Sequence, residues 1–220
     1  MTSSSSITTQ SSITTQWVEA SLPPGDWPEQ GAWTLADWEG LPADGNRYEL
    51  IDGVLYVTSA PSLLHQWTVG TLYRLVGNHL EAQSPPVGLL FISPSGVILP
   101  TGPVIPDLVY VHMRNLHILS EQRIVGVPDL VVEVASPGTA AYDRREKQDA
   151  YAQSGVPEYW WVDPGSRTVE VLVLQNPGVY RPVALVEGQA AIPSVQIPNL
   201  SFPVGSIFMP LDLRSTLPRS

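Results

Sequence analysis

The chain has 220 residues, of which 43% are hydrophobic and 15% are charged, and its formal net charge at pH 7 is −10. This length suits one domain of ordinary size with irregular ends, and the apolar content is enough for a sizeable core. The absence of Cys excludes disulfides, thiol catalysis and thiolate metal sites, and the acidic balance argues against a large non-specific electrostatic grip on nucleic acid.

The first 16 residues are predicted to be a disordered tail, because SSITTQ at 5–10 is repeated at 11–16 and has almost nothing to bury. Residues 17–41 form a lead-in segment in which TLADWEGLP, from Thr34, favours one short helix. The N-terminus lacks the basic start and apolar stretch of a signal peptide, and no apolar run approaches the roughly 20 residues that span a bilayer. We therefore expect a cytoplasmic protein without a membrane partner.

A single domain is predicted over residues 42–213, followed by a tail at 214–220. It opens with a hairpin around Asp52-Gly53, because this dipeptide favours a two-residue turn. Apolar residues at helical spacing predict a helix at 62–83. After several strands, a second helix is predicted at 139–154, with Gly155 as its C-terminal stop. The predicted strands that accompany them are 88–92, 96–99, 107–111, 130–135, 158–162 and 168–174. Residues 180–213, punctuated by Pro, are predicted to form edge strands and covering loops.

This order of elements indicates an α+β (mixed α/β) fold. We expect a mixed sheet flanked by two main helices, with the hairpin at its N-terminal side and edge strands at its C-terminal side.

The sequence PDLV occurs twice, at residues 106–109 and 128–131. Alternation along a strand places Asp107 and Val109 on one face, and Asp129, Val131 and Glu133 on one face of the other strand. If the strands are neighbours, Asp107 and Glu133 can lie side by side with Cβ atoms about 5 Å apart. Asp129 is roughly 13 Å from Glu133 along a strand, so the two copies are predicted to do different jobs, with Asp129 opening a strand.

Two unpaired buried carboxylates would repel each other and lose hydration, which is costly. A divalent cation removes both problems, and Mg²⁺ commonly binds through one or two carboxylates while keeping several waters. One of those waters, made more acidic, could attack a phosphodiester. Asp107 and Glu133 are therefore candidate ligands for Mg²⁺, with Mn²⁺ as a substitute.

Lys147, on the second predicted helix, shares a face with Asp143, Ala150, Tyr151 and Ser154. An ammonium beside a metal-bound phosphate could orient the attacking water or stabilise developing negative charge. The spacing equally fits a surface pair between Lys147 and Asp143, and a structural ion pair with Glu133 is a further alternative.

As a set, these motifs resemble the Uma family of restriction endonucleases, in the PD-(D/E)xK nuclease superfamily. The resemblance covers about residues 30–213. It is carried by YELIDG at 48–53, His65, IPDLVYV at 105–111, PDLVVEVASP at 128–137, YDRREKQDAYAQSGVPEYWWVDP at 142–164 and IPNLSFPV at 197–204.

The resemblance implies a restriction-endonuclease-like core that hydrolyses DNA with a divalent metal. In the superfamily pattern an Asp follows Pro on one strand and Glu-x-Lys lies on the next, which makes Asp107 and Glu133 the metal ligands. Glu49 corresponds to the acidic residue contributed near the start of the core. Ala135 stands where the pattern has Lys, and Lys147 on the following helix is the best-placed substitute.

Three functions are compatible with these features: a metal-dependent DNA endonuclease, an inactive nuclease fold that binds a partner, and a Mg²⁺-dependent hydrolase of small phosphate compounds. The acidic charge and Ala135 favour the inactive fold, whereas the co-occurrence of Asp107, Glu133 and Lys147 favours the enzyme. DNA is the expected partner, and a homodimer is a further possibility. Structural roles also fit single residues: Asp107 as a strand end, Glu49 on a solvated face and His65 as a capping or core histidine.

Overall fold

The structure is a computed structural model that describes residue 22 and residues 26–58, 61–136, 140–176 and 178–216, with the backbone alone described at 58 and 140–143. The predicted disordered tail at 1–16 lies outside these residues, so it stays a prediction. No helix in the described ranges is long and apolar enough to cross a membrane.

The N-terminal elements are a short helix and a hairpin. Helix α1 spans Leu35–Glu39 and begins at Thr34, whose side chain forms a capping box with Asp37. Strands β1 (Arg47–Ile51) and β2 (Val54–Thr58) pair antiparallel. Asp52 and Gly53 between them have φ of 47° and 78°, the left-handed values that a tight hairpin turn requires. The predicted hairpin and short helix are both present.

The central sheet has six strands: β3 (Gly88–Ile92), β6 (Leu108–His112), β8 (Leu130–Val134), β9 (Glu158–Asp163), β10 (Thr168–Asn176) and β11 (Val179–Glu187). Their order in the sheet is β11-β10-β9-β8-β6-β3. Only β8 and β9 pair in parallel, and the other neighbours are antiparallel, so the sheet is mixed as expected.

Two long helices cover opposite faces of this sheet, which confirms the predicted arrangement. Helix α2 spans Leu63–Glu81 and buries Val69, Leu72 and Val76 in a core shared with the even-numbered residues of β6 and β8. Helix α3 spans Ala140–Ser154 and packs Ala150 and Tyr151 against the odd-numbered residues of the same strands. The two-residue period of the strands thus separates the two cores.

A second, three-stranded sheet has the order β5-β4-β7, with β4 at Val97–Leu99, β5 at Gly102–Val104 and β7 at Ile124–Val125. Of these strands, the sequence predicted β4 alone. A Cβ at Gly102 would lie 2.2 Å from the Leu50 carbonyl oxygen, so β5 approaches β1 as closely as glycine allows. This contact brings β1 toward the start of β6.

The C-terminal segment differs in part from its prediction. Strand β11 is one nine-residue edge strand rather than short pieces, and a 3₁₀ turn at Val204–Ile207 and helix α4 at Leu211–Thr216 follow it. Ile192, Ile197 and Leu200 between them are buried in the core beneath α2. The loops therefore cover the α2 side of the sheet, as the Pro-rich pattern indicated.

Candidate active site

Asp107 and Glu133 occupy opposite positions at one end of two neighbouring strands. The antiparallel register of β6 and β8 pairs Leu108 with Val132, and one further step brings Asp107 opposite Glu133. Both side chains are buried, with exposures of 4% and 6%. Asp107 Oδ2 accepts a hydrogen bond of 2.8 Å from the Val134 amide, which ties the carboxylate to β8.

Lys147 lies between two buried carboxylates. Its Nζ is 2.9 Å from Glu49 Oε2 and 3.2 Å from Glu133 Oε1. Glu49 is 1% exposed, and its Oε1 accepts a 2.7 Å hydrogen bond from the Ile105 amide. Glu49 is therefore not a solvated residue, and the contact of β1 with β5 explains its position. The alternative pair of Lys147 with Asp143 concerns a side chain outside the described residues.

Lys147 is the single lysine of the sequence. It comes from α3, so this helix supplies an ammonium, whereas Ala135 stands directly after Val134, the last residue of β8. The structure thus brings Lys147, Glu133 and Glu49 together, with Asp107 beside Glu133.

Tyr151 completes the surroundings of Glu133, because its hydroxyl donates a 2.6 Å hydrogen bond to Glu133 Oε1. It lies one helical turn after Lys147, so both side chains leave α3 on the same face. Burial and the nearby Glu133 raise the pKa of Tyr151 well above its usual 10, which keeps the hydroxyl a neutral donor. Helical spacing had placed Tyr151 on this face without assigning it a contact.

Burial and neighbouring charges shift the pKa values of Glu133 and Lys147. Burial raises the pKa of Glu133 to about 7, with Lys147 opposing the shift and Asp107 and Glu49 adding to it. Burial acts to lower the pKa of Lys147, but attraction to Glu133 and Glu49 outweighs it, so the pKa lies above its usual 10.5. Lys147 is thus charged at neutral pH, whereas the Glu133 carboxyl group gains or loses its proton near neutral pH.

His65 contacts Asp107, although the sequence indicated only a capping or core role. Its Nε2 is 3.1 Å from Asp107 Oδ1, and its Nδ1 is 3.2 Å from Ser136 Oγ. The ring is 5% exposed and lies in the first turn of α2. The available signal was its place among the motifs that carry the family resemblance.

Asp129, in the second PDLV copy, is buried away from this cluster. Its carboxylate accepts hydrogen bonds from the His112 amide, Arg114 Nη2 and Asn115 Nδ2 at 2.8–3.1 Å. It holds the 3₁₀ turn at Met113–Ile118 against the start of β8. The two PDLV aspartates therefore lie in different surroundings, and their different roles stay a prediction.

Within the described ranges, no group of three or more His, Cys, Asp or Glu side chains is arranged to hold a metal ion. The adjacent pair Asp107 and Glu133 offers oxygen donors, and Mg²⁺ binds through as few as one or two carboxylates with water in its other positions. Glu49 adds a third carboxyl group to the cluster, against one ammonium. The donor chemistry and the charge balance fit a hard divalent cation.

Comparisons with known proteins agree with this architecture. Residues 35–205, well over half of the chain, match the family model described as "Uma2: Putative restriction endonuclease". The crystal structure of a putative nuclease belonging to DUF820 from Anabaena variabilis ATCC 29413 is similar, with a TM-score of 0.67 and 18% sequence identity over 80% of this chain and 97% of that chain. This likeness confirms the expected fold. The comparison with curated proteins gave no match.

Proposed function

Because the chain belongs to the Uma2 family, we propose that it is a metal-dependent endonuclease that hydrolyses phosphodiester bonds in DNA. The observation that carries the proposal is the pairing of Asp107 and Glu133 across neighbouring strands, with the Lys147 ammonium 3.2 Å from Glu133. The solved structure of similar fold is itself described as that of a "putative nuclease".

In this proposal Asp107 and Glu133 hold the cation, which is Mg²⁺ with Mn²⁺ as a substitute. When bound, such a cation supplies Lewis-acid charge and acidifies a water for attack on phosphorus. The pKa of about 7 at Glu133 fits this role, because a proton held only weakly at neutral pH is readily displaced by a cation.

Lys147 supplies positive charge that can stabilise the developing charge on the phosphate. Glu49 positions it: Glu49 Oε2 lies 2.9 Å from Lys147 Nζ, while the Ile105 amide fixes the other oxygen of the carboxylate. Lys147 thereby takes the role of the lysine that the PD-(D/E)xK pattern has at the position of Ala135.

DNA is the proposed partner, and the protein is proposed to act in the cytoplasm. Because the net charge is −10, the protein repels the DNA phosphates, and the bound cation offsets part of that repulsion. A homodimer would place two such sites on one duplex, and analytical ultracentrifugation with and without DNA tests this part of the proposal.

An inactive nuclease fold that binds a partner is the second candidate. The observation that favours it is the set of contacts already made by Glu49, Glu133 and Lys147, which satisfy one another as a buried ion-pair network would. Such networks perturb pKa values without any catalytic role.

Cleavage assays on plasmid, linear duplex and single-stranded DNA, with Mg²⁺, Mn²⁺ or EDTA, separate the two candidates. We expect cation-dependent cleavage that Asp107→Asn and Glu133→Gln abolish. Asp129→Asn is the matched control, because it changes the other PDLV aspartate and leaves the cluster intact. A wild-type protein that binds the cation but cleaves none of these substrates would support the inactive fold instead.

A further inference from the structure

His65 bridges Asp107 to the end of β8. Its Nε2 is 3.1 Å from Asp107 Oδ1, and its Nδ1 is 3.2 Å from Ser136 Oγ, two residues beyond β8. Because a carboxylate only accepts hydrogen bonds, Nε2 carries the proton and donates it. The Ser136 hydroxyl can donate or accept, so it matches Nδ1 in either state.

Both oxygens of the Asp107 carboxylate are thereby held by groups at the C-terminal end of β8, one directly and one through His65. Oδ2 accepts directly from the Val134 amide at 2.8 Å, and Oδ1 accepts from His65, which Ser136 holds. Val134 is the last residue of β8 and follows Glu133 directly, and Ser136 lies two residues further on. The position of the Asp107 carboxylate is thus fixed relative to the residue that carries the other proposed ligand.

His65 is itself well anchored. Its amide donates to the Ser62 side chain that begins α2, at 3.2 Å, and its ring is 5% exposed. A buried imidazole with a partner on each ring nitrogen has one orientation, which it passes on to the Asp107 carboxylate. Each carboxylate oxygen offers about two acceptor positions, so one donor on each oxygen leaves positions free for a cation.

We propose that His65, held by Ser136, is a positioning residue that sets the Asp107 carboxylate for cation binding beside Glu133. The inference rests on the proposed function, since it assumes that Asp107 binds the cation. Groups that orient carboxylate ligands through hydrogen bonds typically change metal affinity about 10–100-fold when they are removed. His65 touches neither substrate nor cation in this assignment.

Calorimetric titration of the full chain with Mn²⁺ tests the proposal. His65→Leu keeps an apolar side chain in the buried space but removes both hydrogen bonds, and should weaken Mn²⁺ binding about 10–100-fold. His65→Gln, whose amide can still donate to Asp107, should recover part of the affinity. Ser136→Ala should give a smaller loss, since it removes only the bond that orients the ring. His79→Leu on the exposed side of α2 is the matched control and should bind as the wild type does.

Thermal melts of the metal-free variants distinguish positioning from a structural role. If His65 only stabilises the fold, His65→Leu will melt earlier while its Mn²⁺ affinity stays at the wild-type value, and the inference is overturned. Ser136→Ala and His65→Gln provide the same comparison if His65→Leu does not fold. A wild-type chain that binds no Mn²⁺ would defeat the proposed cation site and this inference together, whereas unchanged affinity in every variant of a Mn²⁺-binding protein defeats the inference alone.

Discussion

The Lys147 ammonium lies 3.2 Å from Glu133 Oε1 and joins α3 to β8 inside the protein. Glu133 is buried, whereas the Lys147 side chain is 15% exposed. This ion pair is compatible with catalysis and with a purely structural role, because each role needs a charge next to Glu133. The two roles differ in what a cation does. If the pair is structural, its charges already balance and an added cation should not change the stability. If the cluster is catalytic, its carboxylates carry more negative charge than Lys147 neutralises, so an added cation should bind and stabilise the protein.

Lys147→Met should destabilise the metal-free protein by about 3–5 kcal/mol at pH 8, because Glu49 and Glu133 then remain buried without their cation. Urea unfolding measures this change. If the cluster is catalytic, the variant still binds Mn²⁺ but cleaves DNA far more slowly, since the charge beside the phosphate is lost.

Lys147→Arg is the control for this variant, because it retains the positive charge. It should lose less stability than Lys147→Met. Equal losses would mean that packing of the side chain, rather than its charge, stabilises the cluster.

Glu133→Gln should leave the metal-free protein folded and about as stable as the wild type at pH 8, or more stable. The change removes one of two acidic partners, while Lys147 keeps Glu49 at 2.9 Å and the Tyr151 hydroxyl keeps an acceptor. We expect Mg²⁺ to stabilise the wild type by about 2.7 kcal/mol when the cation is at 100 times its Kd, and to raise its melting temperature accordingly. Both effects should be lost in Glu133→Gln.

Glu158→Gln is the matched control, since Glu158 is also a fully buried strand carboxylate. Its oxygens accept from Trp160 Nε1 and from the amides of Val195 and Gln196. This variant should lose about 1.5–3 kcal/mol per charged hydrogen bond that is weakened, yet respond to Mg²⁺ as the wild type does. A Mg²⁺ response that survives in Glu133→Gln would remove Glu133 from the site.

The stability of the metal-free protein should depend on pH through Glu133. Its pKa rises from 4.5 to about 7 on folding, so between these values the native state binds more protons than the unfolded state. Its contribution to the free energy of unfolding therefore falls as pH rises from about 4.5 to about 7, and is constant above. The difference in the free energy of unfolding between wild type and Glu133→Gln, measured in urea across pH 4–8, gives the contribution of Glu133. A difference that does not change with pH would contradict the raised pKa.

Much of the fold could be predicted because its signals are local. The hairpin depends on Asp52-Gly53, helix α2 on apolar residues at helical spacing, and the end of α3 on Gly155. Strands β5 and β7 could not be predicted, since two or three residues are too few to show alternation. Their pairing with β4 is a tertiary contact.

The candidate site was predictable to the same extent. Strand alternation gave the face of each carboxylate, because a period of two leaves only one face for each. That Asp107 lies beside Glu133 also needed the two strands to be neighbours in register, which β6 and β8 are. The contact of Glu49 with Lys147 joins residues far apart in the sequence and depends on how β1 packs beneath α3. His65 reaches Asp107 only because α2 begins at the same end of the sheet, which local patterns do not specify.

Loss of charge should affect stability at one PDLV aspartate and Mn²⁺ binding at the other. Asp129→Asn should cost about 1–3 kcal/mol of stability, because three donors lose a charged acceptor, and should leave Mn²⁺ affinity unchanged. Asp107→Asn should abolish Mn²⁺ binding with a smaller effect on stability, since the loss of its bonds to His65 and Val134 is offset by relief of its repulsion with Glu133. Calorimetry and urea unfolding of both variants check the comparison. Weakened Mn²⁺ binding in Asp129→Asn would show that the two copies are not independent.

The single lysine makes the charge cluster directly observable, because selective ¹⁵N-lysine labelling gives one side-chain amine signal. Attraction to Glu133 and Glu49 raises the pKa of Lys147 despite its burial, so the signal should stay that of an ammonium beyond pH 10.5. Because the folded pKa exceeds the unfolded one, the stabilisation from Lys147 is fully present below about pH 10.5 and is lost as the pH rises above it. Glu133→Gln and Glu49→Gln should each bring the pKa down, since each removes one attracting charge. An amine that titrates at 10.5 in the wild type and in both variants would show that the two carboxylates do not hold it, and the role of Glu49 in positioning Lys147 would be lost.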